Sequence, residues 1–169
     1  RDRPNTSKSK SCCAGIDIND AKKVANQYDF PHKVFDYQDK FFNGVISNFV
    51  ESYANGETPV PCIQCNQTVK FSDLLEESKN LNADTLVTGH YAIRKGGLRE
   101  SKLFKAKDKK KDQSYFLFAT LQDQLDYVRF PLGNYLKSEI RQMANDYNLV
   151  VSDKPDSQDI CFVTSDSYR

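Results

Sequence analysis

The chain has 169 residues, with 24 lysines and arginines against 23 aspartates and glutamates, a net charge of +1, 38% hydrophobic residues and 28% charged. That length holds one compact domain with its own core, or one domain and part of another. The near-zero balance excludes global attraction to a polyanion and leaves only local patches for nucleic acid, and no stretch approaches the roughly 20 apolar residues that a membrane-spanning helix needs. Five cysteines, Cys12, Cys13, Cys62, Cys65 and Cys161, give an odd count without an apolar signal segment. This speaks against a secreted disulfide scaffold and for a reducing, cytoplasmic setting.

The opening "RDRPNTSKSK" is charged and Ser-rich and reads as a disordered or truncated lead over residues 1–10. Residues 17–28 follow with a cap candidate at Asn19 or Asp20 and with Ala21, Val24, Ala25 and Tyr28 at helical spacing. A short β-prone run is predicted over residues 33–37. In "QDKFFNGVISNFVESYANG", Phe41, Phe42, Val45, Ile46, Phe49, Val50 and Tyr53 predict a helix with one buried face, stopped at Gly56. Beyond "TPVPCIQCNQTVKF" (58–71), Val69, Leu74, Leu75 and Leu81 continue a helix that ends near Asn82.

"TLVTGHYAI" is a nearly continuous apolar run interrupted by Gly89, the pattern of a buried strand in a parallel sheet. "KGG" turns into "LRESKLFKAK", read as a hairpin projecting from that sheet. Between positions 102 and 111, "KLFKAKDKKK" sets six lysines against one aspartate, either a solvated edge or a local phosphate patch. "DQSYFLFATLQDQLDYV" predicts one or two short helices, "RFPLG" a connector, "LKSEIRQMANDYNL" a further amphipathic helix and "DICFV" a last short strand. Helices and apolar strands thus alternate, as in an α/β layer fold. Such folds bind ligands at the carboxyl ends of their strands, where Gly89 and His90 fall. Periodicity alone favours a simpler account: a bulge or turn at Gly89 and a satisfied surface histidine at His90.

The cysteines admit three readings. Cys62-x-x-Cys65 has zinc-ligand spacing, but adjacent Cys12 and Cys13 make a poor second chelating pair for one tetrahedral centre. A thioredoxin-like pair would open a helix directly after a strand, whereas "GETPVP" precedes this one. The third reading is a nucleophilic thiol at Cys65, placed just before a helix starting in "NQTVKF", where unpaired N–H groups and the helix dipole favour the thiolate. Cys161, after "DSQDI", is by composition a small buried hydrophobe.

Taken in order, "TPVPCIQCNQTVKF", "LVTGHYAI", "KDQSYFLF", "FPLGNYLKSEIRQMA" and "DSQDICF" resemble the tRNA-specific 2-thiouridylases over residues 11–162. The resemblance implies a Rossmann-like parallel sheet flanked by helices, of the PP-loop ATP pyrophosphatase (adenine nucleotide alpha hydrolase-like) type, with residues 11–169 as a partial PP-loop catalytic domain. It implies ATP, with Mg2+, as the substrate that adenylates a wobble uridine, and a persulfide sulfur donor protein and tRNA as partners. By motif, Cys161 is the persulfide carrier and Cys65 the partner nucleophile, Gly89 an ATP contact, and His90, Lys111, Asp112 and Gln113 tRNA contacts. Val60, Pro61 and Cys62 match the segment that meets the target base, and no protein metal ligand is implied.

Two departures qualify this. Many relatives carry Asn-Pro-Asp where this chain has Val60-Pro61-Cys62, so no role for that carboxylate transfers. The family's SGGxDS phosphate loop, which follows its first strand, occurs nowhere in the sequence. The chain alone is therefore expected neither to hydrolyse nor to bind ATP tightly. An ATP-dependent ligase of the same fold acting on a small molecule, and a zinc-binding interaction module, are the competing functions.

Overall fold

The computed structural model describes residues 15–156 and 160–163, so the lead, Cys12 and Cys13 lie outside the described residues. The chain divides into two compact units, Tyr37–Ile140 and, separately, residues 1–36 with 141–169.

The larger unit opens with α2 (Gln38–Phe41), a π-helical turn (Phe42–Ile46) and α3 (Ser47–Ala54), one uninterrupted helical run as the apolar spacing predicts. Gly56 ends it at φ +77, a left-handed stop that glycine adopts without steric cost. The next run starts earlier than predicted. Pro61 sits at the first helical position, where its fixed φ is already helical and its missing N–H costs nothing. From there α4 (Pro61–Cys65), a π-helical segment (Asn66–Asp73) and α5 (Leu74–Asn80) follow without a break. Asn82, at φ 57, closes the run as expected.

The single strand predicted in "TLVTGHYAI" is two strands in two sheets. β1 (Leu86–Val87) pairs in parallel with β4 (Val128–Arg129), and β2 (Ala92–Lys95) pairs antiparallel with β3 (Lys102–Lys105). Between β1 and β2 the chain turns locally: the Ala92 N–H donates to the His90 carbonyl at 3.1 Å, and this removes the backbone from the ladder. The β2–β3 hairpin was legible from its turn residues, but β4 was hidden where a predicted helical segment ends at Val128 and a connector begins at Arg129. No strand forms at residues 33–37; the backbone there is irregular. A 3-10 helix (Ser114–Leu117), α6 (Gln122–Tyr127) and a second 3-10 helix (Pro131–Asn134) complete the unit.

Its core is Phe71, Leu75, Ala92, Leu117, Leu125, Val128 and Phe130, with Leu86, Leu103 and Tyr127 packed against it. Burying each large side chain contributes roughly 1.5–3 kcal/mol, more than a two-residue ladder can. Helices around a parallel pair make this a Rossmann-like α/β unit. In the smaller unit α1 (Gly15–Gln27) is tied to the chain near position 147: the Tyr28 hydroxyl donates to the Tyr147 carbonyl at 2.6 Å and Gln27 Nε2 to that of Asn148 at 3.2 Å. Lys154 bridges Asp17 and Asp20 on α1. The boundary between units falls within α7 (Lys137–Asp146).

Of the described glycines, Gly133 leaves the least room for a side chain. A Cβ there would lie 1.8 Å from the Ala92 carbonyl oxygen on β2, and the Gly133 carbonyl already accepts the Lys107 N–H at 2.8 Å. Relief requires moving a strand, so Gly133→Ala is expected to cost about 3 kcal/mol. Urea denaturation of the two proteins measures this; a loss below about 0.5 kcal/mol would show that the β2 backbone yields freely.

Candidate functional site

Three sequence motifs meet where the parallel pair ends. The Thr88 N–H donates to the Arg129 carbonyl at 3.0 Å, one bond beyond the ladder, and the Thr88 hydroxyl lies 2.6 Å from His90 Nδ1. The imidazole packs against two aromatic rings, with centroids 6.0 Å from Phe71 and 6.4 Å from Phe130, which are themselves 6.5 Å apart. Both phenylalanines are buried. His90 is therefore a half-buried member of an aromatic cluster, and the surface histidine that periodicity favours is corrected by that packing. Desolvation, followed by the nearby Lys70 charge, lowers its pKa from 6.5 to about 4. The ring is neutral at physiological pH.

Gly89 stands beside it at the carboxyl end of β1, exposed. Among the described residues a Cβ would meet only Leu132 Cδ1, at 3.8 Å, and the backbone is outside the left-handed region. The strand does break and turn here, as the bulge-or-turn account has it, but neither packing against the described residues nor a left-handed backbone requires the residue to be glycine.

The "KDQ" segment is clasped onto the same turn. The Gln113 N–H donates to the Tyr91 carbonyl at 2.8 Å, and the Tyr91 N–H donates back to Gln113 Oε1 at 2.9 Å. Asp112 is occupied internally: Oδ1 accepts the Ala106 N–H at 2.7 Å and Oδ2 the Ser114 hydroxyl at 2.8 Å. The Lys111 N–H donates to the Asp108 carbonyl at 3.0 Å, and its side chain is half-buried. Of the lysine run, Lys107 pairs with Glu139 at 3.1 Å, while Lys109 and Lys110 are exposed.

The cysteine motif joins through its asparagine. Asn66 is 3% exposed, and its Nδ2 donates to the Phe116 carbonyl in "SYFL" at 3.0 Å. Its Oδ1, like the buried Tyr91 hydroxyl, has no hydrogen-bond partner among the described residues, a costly state that marks both residues for scrutiny. Sequence reasoning passed over Asn66, Tyr91, Phe71 and Phe130. Asn66 sits inside the quoted "CN", yet a mid-helix asparagine carries no burial signal of its own.

Cys65 is not at the helix start as predicted. Val60 is the N-cap, Pro61 and Cys62 occupy the first two helical positions, and Cys65 lies a turn inside, at the end of α4. The positive end of the helix is therefore nearer Cys62. Cys62 is exposed and Cys65 half-buried, three positions apart and hence on one helix face. Cys161 is half-buried in the smaller unit, and the strand predicted around it is a turn, with the Val163 N–H donating to the Ile160 carbonyl at 3.1 Å. Among the described residues no three His, Cys, Asp or Glu side chains cluster as metal ligands, and no helix is long and apolar enough to cross a membrane.

A parallel strand pair with helices packed around it is the Rossmann-like arrangement of HUP domains. The profile of the tRNA methyl transferase HUP domain family matches residues 1–165, and the chain belongs to that family. It is similar to proteins named tRNA-specific 2-thiouridylase MnmA: 61% identical over 159 residues to that of Orientia tsutsugamushi (strain Boryong), covering 94% of this chain and 43% of the relative. To that of Wolbachia sp. subsp. Drosophila simulans (strain wRi) it is 58% identical over 158 residues, 94% of this chain and 42% of the relative. To that of Rickettsia bellii (strain OSU 85-389) it is 55% identical over 164 residues, 97% and 45% respectively. The chain spans less than half the length of these relatives.

The depressed His90 pKa makes a stability prediction. Between pH 6.5 and about 4 the unfolded chain binds a proton that the folded one rejects, so folding weakens as pH falls through this window. The His90 contribution amounts to about 3 kcal/mol. Urea denaturation across that range should show a steeper loss for the wild type than for His90→Phe, which keeps the ring and cannot titrate; parallel curves would contradict the buried, neutral assignment.

Proposed function

We propose that this chain is the catalytic portion of a tRNA-modifying sulfurtransferase that forms 2-thiouridine at the wobble position. The observation that carries the reading is the junction itself: "CN", "TGHY" and "KDQSYF", distant in sequence, are bonded to one another through Asn66, Tyr91 and Gln113. The family description speaks of methyl transfer and the relatives' names of thiolation; the cysteines favour sulfur.

In this reading ATP, entering with Mg2+ as substrate, lies over the open backbone at Gly89, where a side chain would intrude. Uridine O2 attacks the α-phosphorus and pyrophosphate leaves, so the base carries adenylate as a leaving group. A donor protein loads Cys161 with a persulfide, whose terminal sulfur attacks C2 and expels AMP. The Cys65 thiolate then attacks the Cys161 sulfur, the S–S bond to the base breaks, and 2-thiouridine departs. A Cys65–Cys161 disulfide remains for an external thiol to reduce, in keeping with a cytoplasmic setting. Alternatively, Cys65 attacks the persulfide first and releases sulfide beside the adenylated base. Neutral His90 offers an aromatic face to an extruded base, Lys111, Asp112 and Gln113 border the tRNA path, and Val60, Pro61 and Cys62 line the base pocket from the helix start.

The test grafts these residues in place of the matching segment of the Orientia relative and measures 2-thiouridine in tRNA by nucleoside mass spectrometry. The chimera should be active, and Cys161→Ser and Cys65→Ser should each lower formation at least about 100-fold, as expected for covalent participants. Cys62→Ser should lower it less than Cys65→Ser. Full activity in Cys161→Ser would overturn the persulfide assignment.

A further inference from the structure

The proposed chemistry leaves the β2–β3 hairpin without a task, yet its far end is built with unusual care. Lys95, Arg99, Lys102, Phe104 and Gln122, with Glu100 as the one carboxylate, line an open cleft of about 610 Å³ there. This is within the range of small-ligand sites. Lys95 and Lys102 are directly opposed in the antiparallel register, a like-charge pairing that weakens a hairpin. No ion pair involves Lys95, Arg99 or Lys102 among the described residues. Strand alternation puts Phe104 on the same face as Lys102, and Phe104 is 43% exposed, with Lys95 Nζ 5.5 Å from its ring centre.

The turn between the strands is fixed from below. Arg99 holds φ at 63, a left-handed conformation that a long side chain rarely adopts, and its N–H donates to Asp126 Oδ2 at 2.6 Å. Asp126 is buried; hydrogen bonding, from Ser101 foremost and from the Arg99 N–H and Gln122, holds its carboxyl below the usual range. Arg94 approaches it to 3.9 Å, and Ser101 is 3% exposed. Gly96 is obligatory, since at φ +103 a Cβ would sit 2.4 Å from the Glu100 carbonyl oxygen. Two local penalties, opposed lysines and a left-handed arginine, are thus maintained by a buried polar network in order to present three cations and one aromatic ring together. Strain that the surroundings over-determine points to a ligand.

We propose that this cleft is an RNA-binding site, separate from the reacting-base junction, that takes a short stretch of single strand: Lys95, Arg99 and Lys102 on phosphodiester oxygens, Phe104 against a base. Cations beside an exposed aromatic ring suit single-stranded nucleic acid better than an acidic peptide, which has no flat base to cover the ring. With a net charge of only +1, such attraction has to be local. The choice of RNA as the polyanion rests on the function proposed above; the cleft itself does not.

Fluorescence anisotropy of the intact chain with labelled oligouridine and with a transcribed tRNA, titrated over salt, tests it. Lys95→Ala/Lys102→Ala should weaken binding to both by about 10-fold and lower the slope of log K against log salt by about 1.4, roughly 0.7 per lost single-strand phosphate contact. Arg99→Gly should weaken binding about 3-fold while melting no lower than the wild type, which separates ligand contact from folding. Unchanged affinity and slope in these variants, a loss confined to Lys109→Ala/Lys110→Ala, absence of RNA binding by the wild type at low salt, or preferential binding of polyglutamate through the same residues would each overturn the proposal. Failure here leaves the thiolation reading to stand or fall on nucleoside product; loss of product with hairpin-dependent RNA binding intact sinks that reading alone.

Discussion

The packing of His90 against Phe71 and Phe130, three rings in mutual contact, is the constraint on which the larger unit depends. Each ring comes from a different part of the chain: Phe71 from the helical run that carries the cysteines, His90 from the turn after β1, Phe130 from the residue after β4. The strands they follow are two residues long and share few ladder bonds, so the sheet is held by what packs on it. Burial of Phe71 and Phe130 brings the carboxyl end of the parallel pair against the helix beyond Cys65. The polar contacts of the junction then follow: Asn66 to Phe116, and the two-way bonding of Tyr91 with Gln113. In this order of cause, apolar packing sets position and hydrogen bonds set direction.

The same packing decides the electrostatics. A histidine at a strand end exposed to water would titrate near neutrality; enclosed by rings and facing Lys70, this one stays uncharged. A neutral ring suits a heterocyclic base better than a phosphate. The cations needed for a phosphate chain lie elsewhere, on the hairpin and in the lysine run. Pro61 adds a second decision: by starting the helix at its own position it presents Cys62 at the exposed first turn and draws Cys65 inward beside buried Asn66.

Legibility in the sequence followed the range of the interactions involved. Helix 38–54, the stops at Gly56 and Asn82 and the β2–β3 hairpin rest on local spacing and turn chemistry, and each was readable. β4 was not, because Val128 and Arg129 become a strand only through pairing with Leu86 and Val87, some forty positions earlier in the chain. The crossing from one sheet to another within "TLVTGHYAI" and the burial of His90 were missed for a related reason: an apolar run gives the same pattern whether it stays in one sheet or crosses between two. The helix start was misplaced because apolar periodicity begins at Val69 while the backbone signal, a proline at the first position, lies eight residues earlier. The candidate residues themselves were found by motif resemblance; their contacts, and the partners Asn66, Tyr91, Phe71 and Phe130, came only from tertiary structure.

The account stands on sulfur passing through Cys161. Incubation of the protein with a persulfide donor, followed by alkylation and peptide mass mapping, locates the transferred sulfur atom directly. The account predicts it on the peptide that contains Cys161. Sulfur found on Cys62 or Cys65, with none on Cys161, would contradict it.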